Sequence, residues 1–164
     1  MQTSSLSILS GAPRPGLVAI DAPMLVFQAF YGIPDTFHDP QGRAVNAVFG
    51  FTLRLMELLA QINHLQHPAR VVLCWDESLG SGFRHRLYAP YKANRPIADE
   101  AFLYQMQRCA EVTEALGLCQ RGSEEFEADD LIASLVHWQH QSGAPALVVS
   151  QDKDLAQLVA AGDW

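Results

Sequence analysis

Four short, unbroken apolar runs stand along the chain, Leu17–Ile20, Arg70–Trp75, the weaker Leu118–Arg121 and Ala146–Ser150, with long helical patterns between them. Runs that do not alternate apolar with polar read as strands covered on both faces, as in a parallel sheet. Ala44–Asn63 repeats Val45, Val48, Phe49, Leu53, Met56 and Leu59 at helical spacing. Asp99–Leu116 carries Phe102, Leu103, Met106, Cys109 and Leu116 and stops at Gly117, and Glu127–Gln141 carries Leu131, Ile132, Leu135 and Trp138 and stops at Gly143. Lys153–Ala160 reads as a short last helix. Strands separated by helices require crossover connections, so the expected fold is α/β, a three-layer, mostly parallel sheet with helices on both faces. Asp76–Pro96 breaks the pattern. Gly80, Gly82, Pro90 and Pro96 punctuate it, and it is expected to be a long excursion from the sheet.

The 164 residues suit one domain over 17–164, behind a Ser-, Gly- and Pro-rich lead-in over 1–16 that is expected to be flexible. A content of 49% hydrophobic and 18% charged residues excludes a disordered chain. No apolar run approaches the roughly 18 residues needed to cross a bilayer. No positive charge precedes Leu6, Ile8 and Leu9, as a signal peptide would require. Cys74, Cys109 and Cys119 form no closely spaced pair, which argues against disulfides and zinc. A cytoplasmic protein without a membrane partner is expected.

The net charge of −7 argues against a basic coat for nucleic acid, but the charge is sorted along the chain. Between Ser78 and Ala98 stand Arg84, Arg86, Lys92 and Arg95 with no acid; between Glu124 and Asp130 stand five acids with no base. The acids also follow the strands. Asp21 immediately follows the first, Asp76 follows the second, Glu127, Asp129 and Asp130 come soon after the third, and Asp152 and Asp154 follow the fourth. A parallel sheet brings these strand ends to one edge, where open α/β folds bind ligands. Seven carboxylates in one crevice repel one another, and a divalent cation relieves the repulsion. All-oxygen ligands favour Mg²⁺, Mn²⁺ or Ca²⁺. A single Asp after a strand is more often a helix cap than a ligand, and Asp21 before Pro23 and Asp152 before Lys153 suit that role. Caps explain four acidic strand ends poorly when taken together.

The excursion Phe83–Pro96 mixes its four cations with Tyr88 and Tyr91. Cations fix phosphates and aromatic rings stack on bases, a pairing used for single-stranded nucleic acid, although an isolated cluster of this size is also common in a solvated loop. Next to a metal crevice it reads as a substrate clamp, since phosphodiester hydrolysis needs metals at the scissile bond and cations on the flanking phosphates.

E-A-D-D (Glu127–Asp130), D-K-D-L-A-Q-L (Asp152–Leu158) and F-R…Y-K-A-N-R-P (Phe83–Pro96), in this order and spacing, resemble the 5′ nuclease family. That family includes the N-terminal 5′–3′ exonuclease domain of bacterial DNA polymerase I, phage 5′ exonucleases and flap endonucleases. The resemblance runs from Leu17 to Leu158 and implies a PIN-like fold. It further implies Mg²⁺- or Mn²⁺-dependent hydrolysis with two ions, acting on DNA with a 5′ single strand or flap. It places Asp21, Asp76, Glu127, Asp129 and Asp130 as inner metal ligands and Asp152 and Asp154 at a second ion. Lys92 and Arg95 match catalytic cations near the scissile phosphate, and Arg84, with Arg86, Tyr88 and Tyr91, falls on the DNA-binding arch. Gln28 stands where relatives usually carry arginine, and Ala22-Pro23-Met24 replaces the family's glycine-led turn. The family's helix–three-turn–helix region is not matched. A second chain supplying it, or self-association, is therefore expected. Competing readings are a binding or partner-dependent module with little activity of its own, a PIN-type ribonuclease, and a Toprim-like domain; the last leaves Asp21, Asp76 and the arch unexplained.

Overall fold

The computed structural model describes residues 15–63, 70–77, 82–93 and 99–159. Four strands, β1 (Leu17–Asp21), β2 (Arg70–Asp76), β3 (Cys119–Ser123) and β4 (Ala146–Val149), form one sheet in the order β3-β2-β1-β4, with every pair parallel. Two helices, α1 (Ala22–Gly32) and α2 (Asn46–Asn63), separate β1 from β2. The short α3 (Phe83–Leu87) and long α4 (Glu100–Ala115) separate β2 from β3, and α5 (Ala128–Gln141) separates β3 from β4. A 3₁₀ helix over Lys153–Leu158 follows β4, where the sequence suggests an ordinary short helix.

The expected three layers are present. Alternate residues of the central strands enter two cores: Val18, Ile20, Leu73 and Trp75 meet α1, α2 and α4, while Leu17, Ala19, Val72 and Cys74 meet α5 and the 3₁₀ helix. β1 is buried along its whole length, and so is the middle of β2. Burying each large side chain here, such as Ile20, Leu73 or Phe51, contributes about 1.5–3 kcal/mol.

Three expectations need correction. β3 is not a covered strand. It lies at the edge of the described sheet beside β2, and Cys119, Arg121 and Gly122 are exposed. The buried stripe of α2 is Ala47, Gly50, Phe51, Leu55, Leu58 and Ile62, whereas Phe49, Leu53 and Met56 face outward. This helix is apolar on both sides, so periodicity alone does not choose its inner face. Trp138 on α5 and Leu116 after α4 are likewise exposed. Finally, α1 emerges as a full helix where the sequence signals only its cap, because its run of apolar residues has almost no polar face to give a period.

Polar groups lock the helical layer. Gln105, fully buried on α4, accepts from the Ala47 N–H at 2.7 Å and donates to Asn46 Oδ1 at 3.0 Å. The Asn46 amide in turn donates to the Phe30 and Ile33 carbonyls at the end of α1. Leaving any of these buried groups unpaired costs about 1–3 kcal/mol. Gly50 lets α1 and α2 cross closely, since a Cβ there would stand 2.3 Å from Ile33 Cδ1 and 2.8 Å from Ala29 Cβ.

The turn between α1 and α2 is cinched around Asp39. Its Oδ1 accepts from the Gln41 and Arg43 N–H groups, both at 2.9 Å, and its Oδ2 from Arg43 Nε and the Tyr104 hydroxyl of α4, both at 2.8 Å. Desolvation pushes this carboxyl up, but the hydrogen bonds from Arg43, Tyr104 and Gln41 outweigh it and hold the pKa at about 2. A carboxyl depressed below its unfolded value of 3.8 contributes stability above that pH and loses it as pH falls toward 2. Asp39→Asn is therefore expected to lower the melting temperature at pH 7, with the gap to the unmodified chain narrowing as pH falls from about 4 toward 2. Thermal melts across that range check it, and a gap independent of pH would contradict the assignment.

Candidate functional site

All four strands run the same way, so their carboxyl ends share one edge of the sheet. Asp21 closes β1 and caps α1, accepting from the Met24 N–H at 3.2 Å through Oδ1 and from the Ser150 hydroxyl at 2.8 Å through Oδ2. Asp76 closes β2 and accepts from the Ala128 N–H at 2.5 Å, pinning the start of α5. Asp152 caps the 3₁₀ helix by accepting from the Asp154 N–H at 2.9 Å. The cap reading and the site reading thus hold for the same side chains. A capping carboxylate still has lone pairs to offer.

These residues open onto a cavity of about 990 Å³. Asp21, Asp76, Glu127, Asp129 and Asp152 line it from the sheet side, with Lys92 and Lys153 among them. Its other wall is apolar, formed by Met24, Phe27, Tyr31, Phe102 and Met106. Burial raises the pKa of Asp129 to about 6, and the charges of Asp21, Asp152, Asp76 and Glu127 add to the shift. Asp21 is also raised, first by burial and then by Asp76 and Asp152, against the opposing hydrogen bonds from Ser150 and Met24. Five of the seven expected carboxylates therefore share one electrostatic environment.

The other two do not join them. Asp130 faces away from the cavity lining and receives the Arg84 guanidinium as a fork, Nη2 to Oδ1 at 2.6 Å and Nη1 to Oδ2. Its Oδ2 also accepts from the Glu127 N–H at 3.0 Å. The Arg84 hydrogen bonds lower its pKa, so it stays ionised. Asp154 is exposed and does not line the cavity. Among the described residues, no three His, Cys, Asp or Glu side chains are grouped so as to hold one metal ion. The carboxylates surround the cavity without yet closing on a common point.

The sorted charges find their explanation here, because the basic segment docks on the acidic one. Arg84 forks onto Asp130 and lies 3.7 Å from Glu127, while Arg86 pairs with Glu125. Glu127 also accepts from Lys92 Nζ at 2.7 Å and from the Tyr91 hydroxyl at 3.1 Å. Phe83 packs on Phe126 with ring centroids 5.4 Å apart. Lys92 takes a left-handed backbone with φ of 53°, a conformation that costs a non-glycine residue about 1–3 kcal/mol and persists where surrounding contacts over-determine it. Tyr88 projects into solvent away from the cavity lining. Arg95 lies outside the described residues.

Sequence reasoning passed over Ser150, Lys153 and the apolar wall. Ser150 was legible as the first residue of a Ser-x-Asp turn, a common capping arrangement. Phe27 and Tyr31 are one helical turn apart, the spacing of a shared face.

Comparison with known proteins gives this geometry a family. The family model described as the 5′-3′ exonuclease, N-terminal resolvase-like domain matches residues 16–162. This chain belongs to that family. DNA polymerase I of Mycobacterium bovis is 36% identical over 161 residues, covering 98% of this chain and 17% of that protein. A protein named 5′-3′ exonuclease from Mycobacterium tuberculosis is 33% identical over 159 residues, covering 90% of this chain and 48% of that protein. The chain thus spans half or less of the length of these relatives. Among solved structures, T5 5′-exonuclease with divalent metal ions (zinc) bound superposes with a TM-score of 0.66 at 16% identity, over 90% of this chain and 53% of that one. The fold of this exonuclease-type domain is accordingly PIN-like, as in T5 5′-exonuclease.

The Arg84–Asp130 fork is expected to anchor the excursion to α5. Asp130→Asn should cost about 1 kcal/mol or less of global stability, because the pair is partly solvated. It should nevertheless speed tryptic cleavage after Arg84, Arg86 or Lys92 several-fold, because local opening governs proteolysis. Equal cleavage rates in the two chains would show that the anchor lies elsewhere.

Proposed function

We propose that this chain is the catalytic core of a divalent-metal-dependent 5′–3′ nuclease that hydrolyses DNA phosphodiesters near 5′ ends or flaps. The observation that carries this reading is the cavity itself, with five carboxylates on its sheet-side wall and the docked cationic segment at its rim. The donor set fits Mg²⁺ or Mn²⁺: it is all carboxylate oxygen, with no thiolate or imidazole at the cavity. Burial chiefly raises the pKa of Asp129, and the neighbouring carboxylates add to it a crowding of charge that a bound cation would relieve. Asp21, Asp76, Glu127, Asp129 and Asp152 would hold the ions, two in the family's manner, with Asp130 and Asp154 adjoining on the same segments. Ions held there would supply an activated water and neutralise charge on the leaving oxygen.

The chain's own residues do the rest. Lys92, at the cavity, and Arg84, beside Glu127, offer cations that hold the phosphates flanking the scissile bond, with Arg86, Arg95, Tyr88 and Tyr91 extending the DNA contact along the excursion. The carboxylates lie on strand ends and helix caps, rigid positions that fix the reacting groups with little freedom to lose. The domain spans residues 17–164. The greater length of the relatives and the place of β4 at the edge of the sheet, with no strand beyond it among the described residues, support a further segment, on the same polypeptide, a second chain or another copy, that completes the sheet and grips the duplex. No described helix is long and apolar enough to cross a membrane, and a cytoplasmic setting accords with a DNA substrate.

Cleavage of a 5′-labelled flap duplex in Mg²⁺ or Mn²⁺, with an EDTA control, tests the reading. Product is expected with either ion and none with EDTA. Asp129→Asn should lower the rate by more than the ~10–100-fold typical of losing an outer-sphere partner. A chain that binds the flap without cleaving it in either ion is a binding module instead. A separate test concerns Lys92. Lys92→Ala should reduce the salt slope of single-strand binding by about 0.7, the amount expected for one phosphate contact. An unchanged slope would remove Lys92 from the DNA interface.

A further inference from the structure

The turn after β4 contains a hydroxyl whose direction is dictated by its neighbours. Ser150 Oγ accepts from the Asp152 N–H at 3.0 Å. With that lone pair engaged, the hydroxyl proton points to Asp21 Oδ2, 2.8 Å away across the β1–β4 pair. The two strands are in register up to Ile20 and Val149, so Ser150 stands beside Asp21 as a direct product of their pairing. The Met24 N–H holds the other oxygen of Asp21 at 3.2 Å. The carboxylate is thus gripped once on each oxygen, and its remaining lone pairs are left for the cavity that it lines. The role of the Asp152 N–H in this contact is to orient the hydroxyl toward Asp21.

We infer that Ser150 is a positioning residue for divalent-cation binding, acting through Asp21. The inference rests on the proposal that Asp21 is a ligand. Hydrogen bonds of this kind orient ligating carboxylates, and their loss commonly costs 10–100-fold in metal affinity. Ser150 contributes no charge and is not among the residues that line the cavity. Its effect should therefore appear in metal binding before any nucleic acid is present.

The experiment is a titration of the free chain with Mn²⁺, read by the loss of the electron paramagnetic resonance signal of free Mn²⁺. Four variants are compared with the unmodified chain: Ser150→Ala, Ser150→Thr, Asp21→Asn and the double variant Asp21→Asn with Ser150→Ala. Melting temperatures are recorded for all. Ser150→Ala is expected to weaken Mn²⁺ binding about 10–100-fold with little change in melting temperature. Ser150→Thr, which keeps the hydroxyl, should restore the affinity. In the Asp21→Asn background the Ser150→Ala change should have no further effect, because the group through which it acts is already lost. Unchanged affinity in Ser150→Ala overturns the inference, as does a Thr variant as weak as the Ala variant. An undiminished effect in the Asp21→Asn background also overturns it, since Ser150 would then act by another route. If Asp21→Asn itself leaves Mn²⁺ binding intact, the ligand assignment of Asp21 fails, which is a different result from failure of Ser150 alone.

Discussion

Like charges gathered at one edge of a parallel sheet are the constraint around which this molecule is arranged. Helical crossovers run all four strands one way, so the acids that end β1 and β2 (Asp21, Asp76) and those that follow β3 and β4 (Glu127, Asp129, Asp152) are delivered to the same side. The structure meets that repulsion in two ways. Part of it is tolerated, and adds to the burial that chiefly raises the pKa values of Asp21 and Asp129. Part is answered by backbone N–H groups at helix starts, which hold Asp21, Asp76 and Asp152, and by Arg84 and Lys92 folding back onto Asp130 and Glu127. Folding and ligand binding therefore draw on the same charges.

That double use explains how Asp130 differs from its neighbours. It is adjacent to Asp129 in sequence and belongs to the same acidic run, yet a helix turns successive side chains by about 100°. Asp129 faces the crowded cavity and Asp130 the guanidinium of Arg84. Their carboxyl groups shift in opposite directions for this reason, one raised by burial and repulsion, the other lowered by a cation.

The layer order and the cluster of strand-end acids were legible because both follow from strict periodicity and from a rule of parallel sheets. Asp21, Asp76 and Asp152 could be placed at the edge from their positions after apolar runs alone. What escaped sequence reading depends on contacts between distant segments. The fork between Arg84 and Asp130 joins residues 46 positions apart, and the Ser150–Asp21 contact joins residues 129 apart. The inner face of α2 escaped for another reason. Phe49, Leu53 and Met56 are as apolar as the residues that are buried, and the choice of inner face rests on tertiary contacts, the close approach of Gly50 to Ala29 and Ile33 and the hydrogen bonds of Asn46 and Ala47 with Gln105.

Gly50 also ties the reactive edge to a place far from it. The helix that it admits so closely, α1, begins at the cap supplied by Asp21. Any side chain at position 50 must push α1 away, and α1 carries with it the Met24 N–H and the Phe27 and Tyr31 rings of the cavity wall. A single missing methyl group thus works as a spacer gauge for the whole chamber. The width of the chamber is set in part by a side chain that position 50 does not carry.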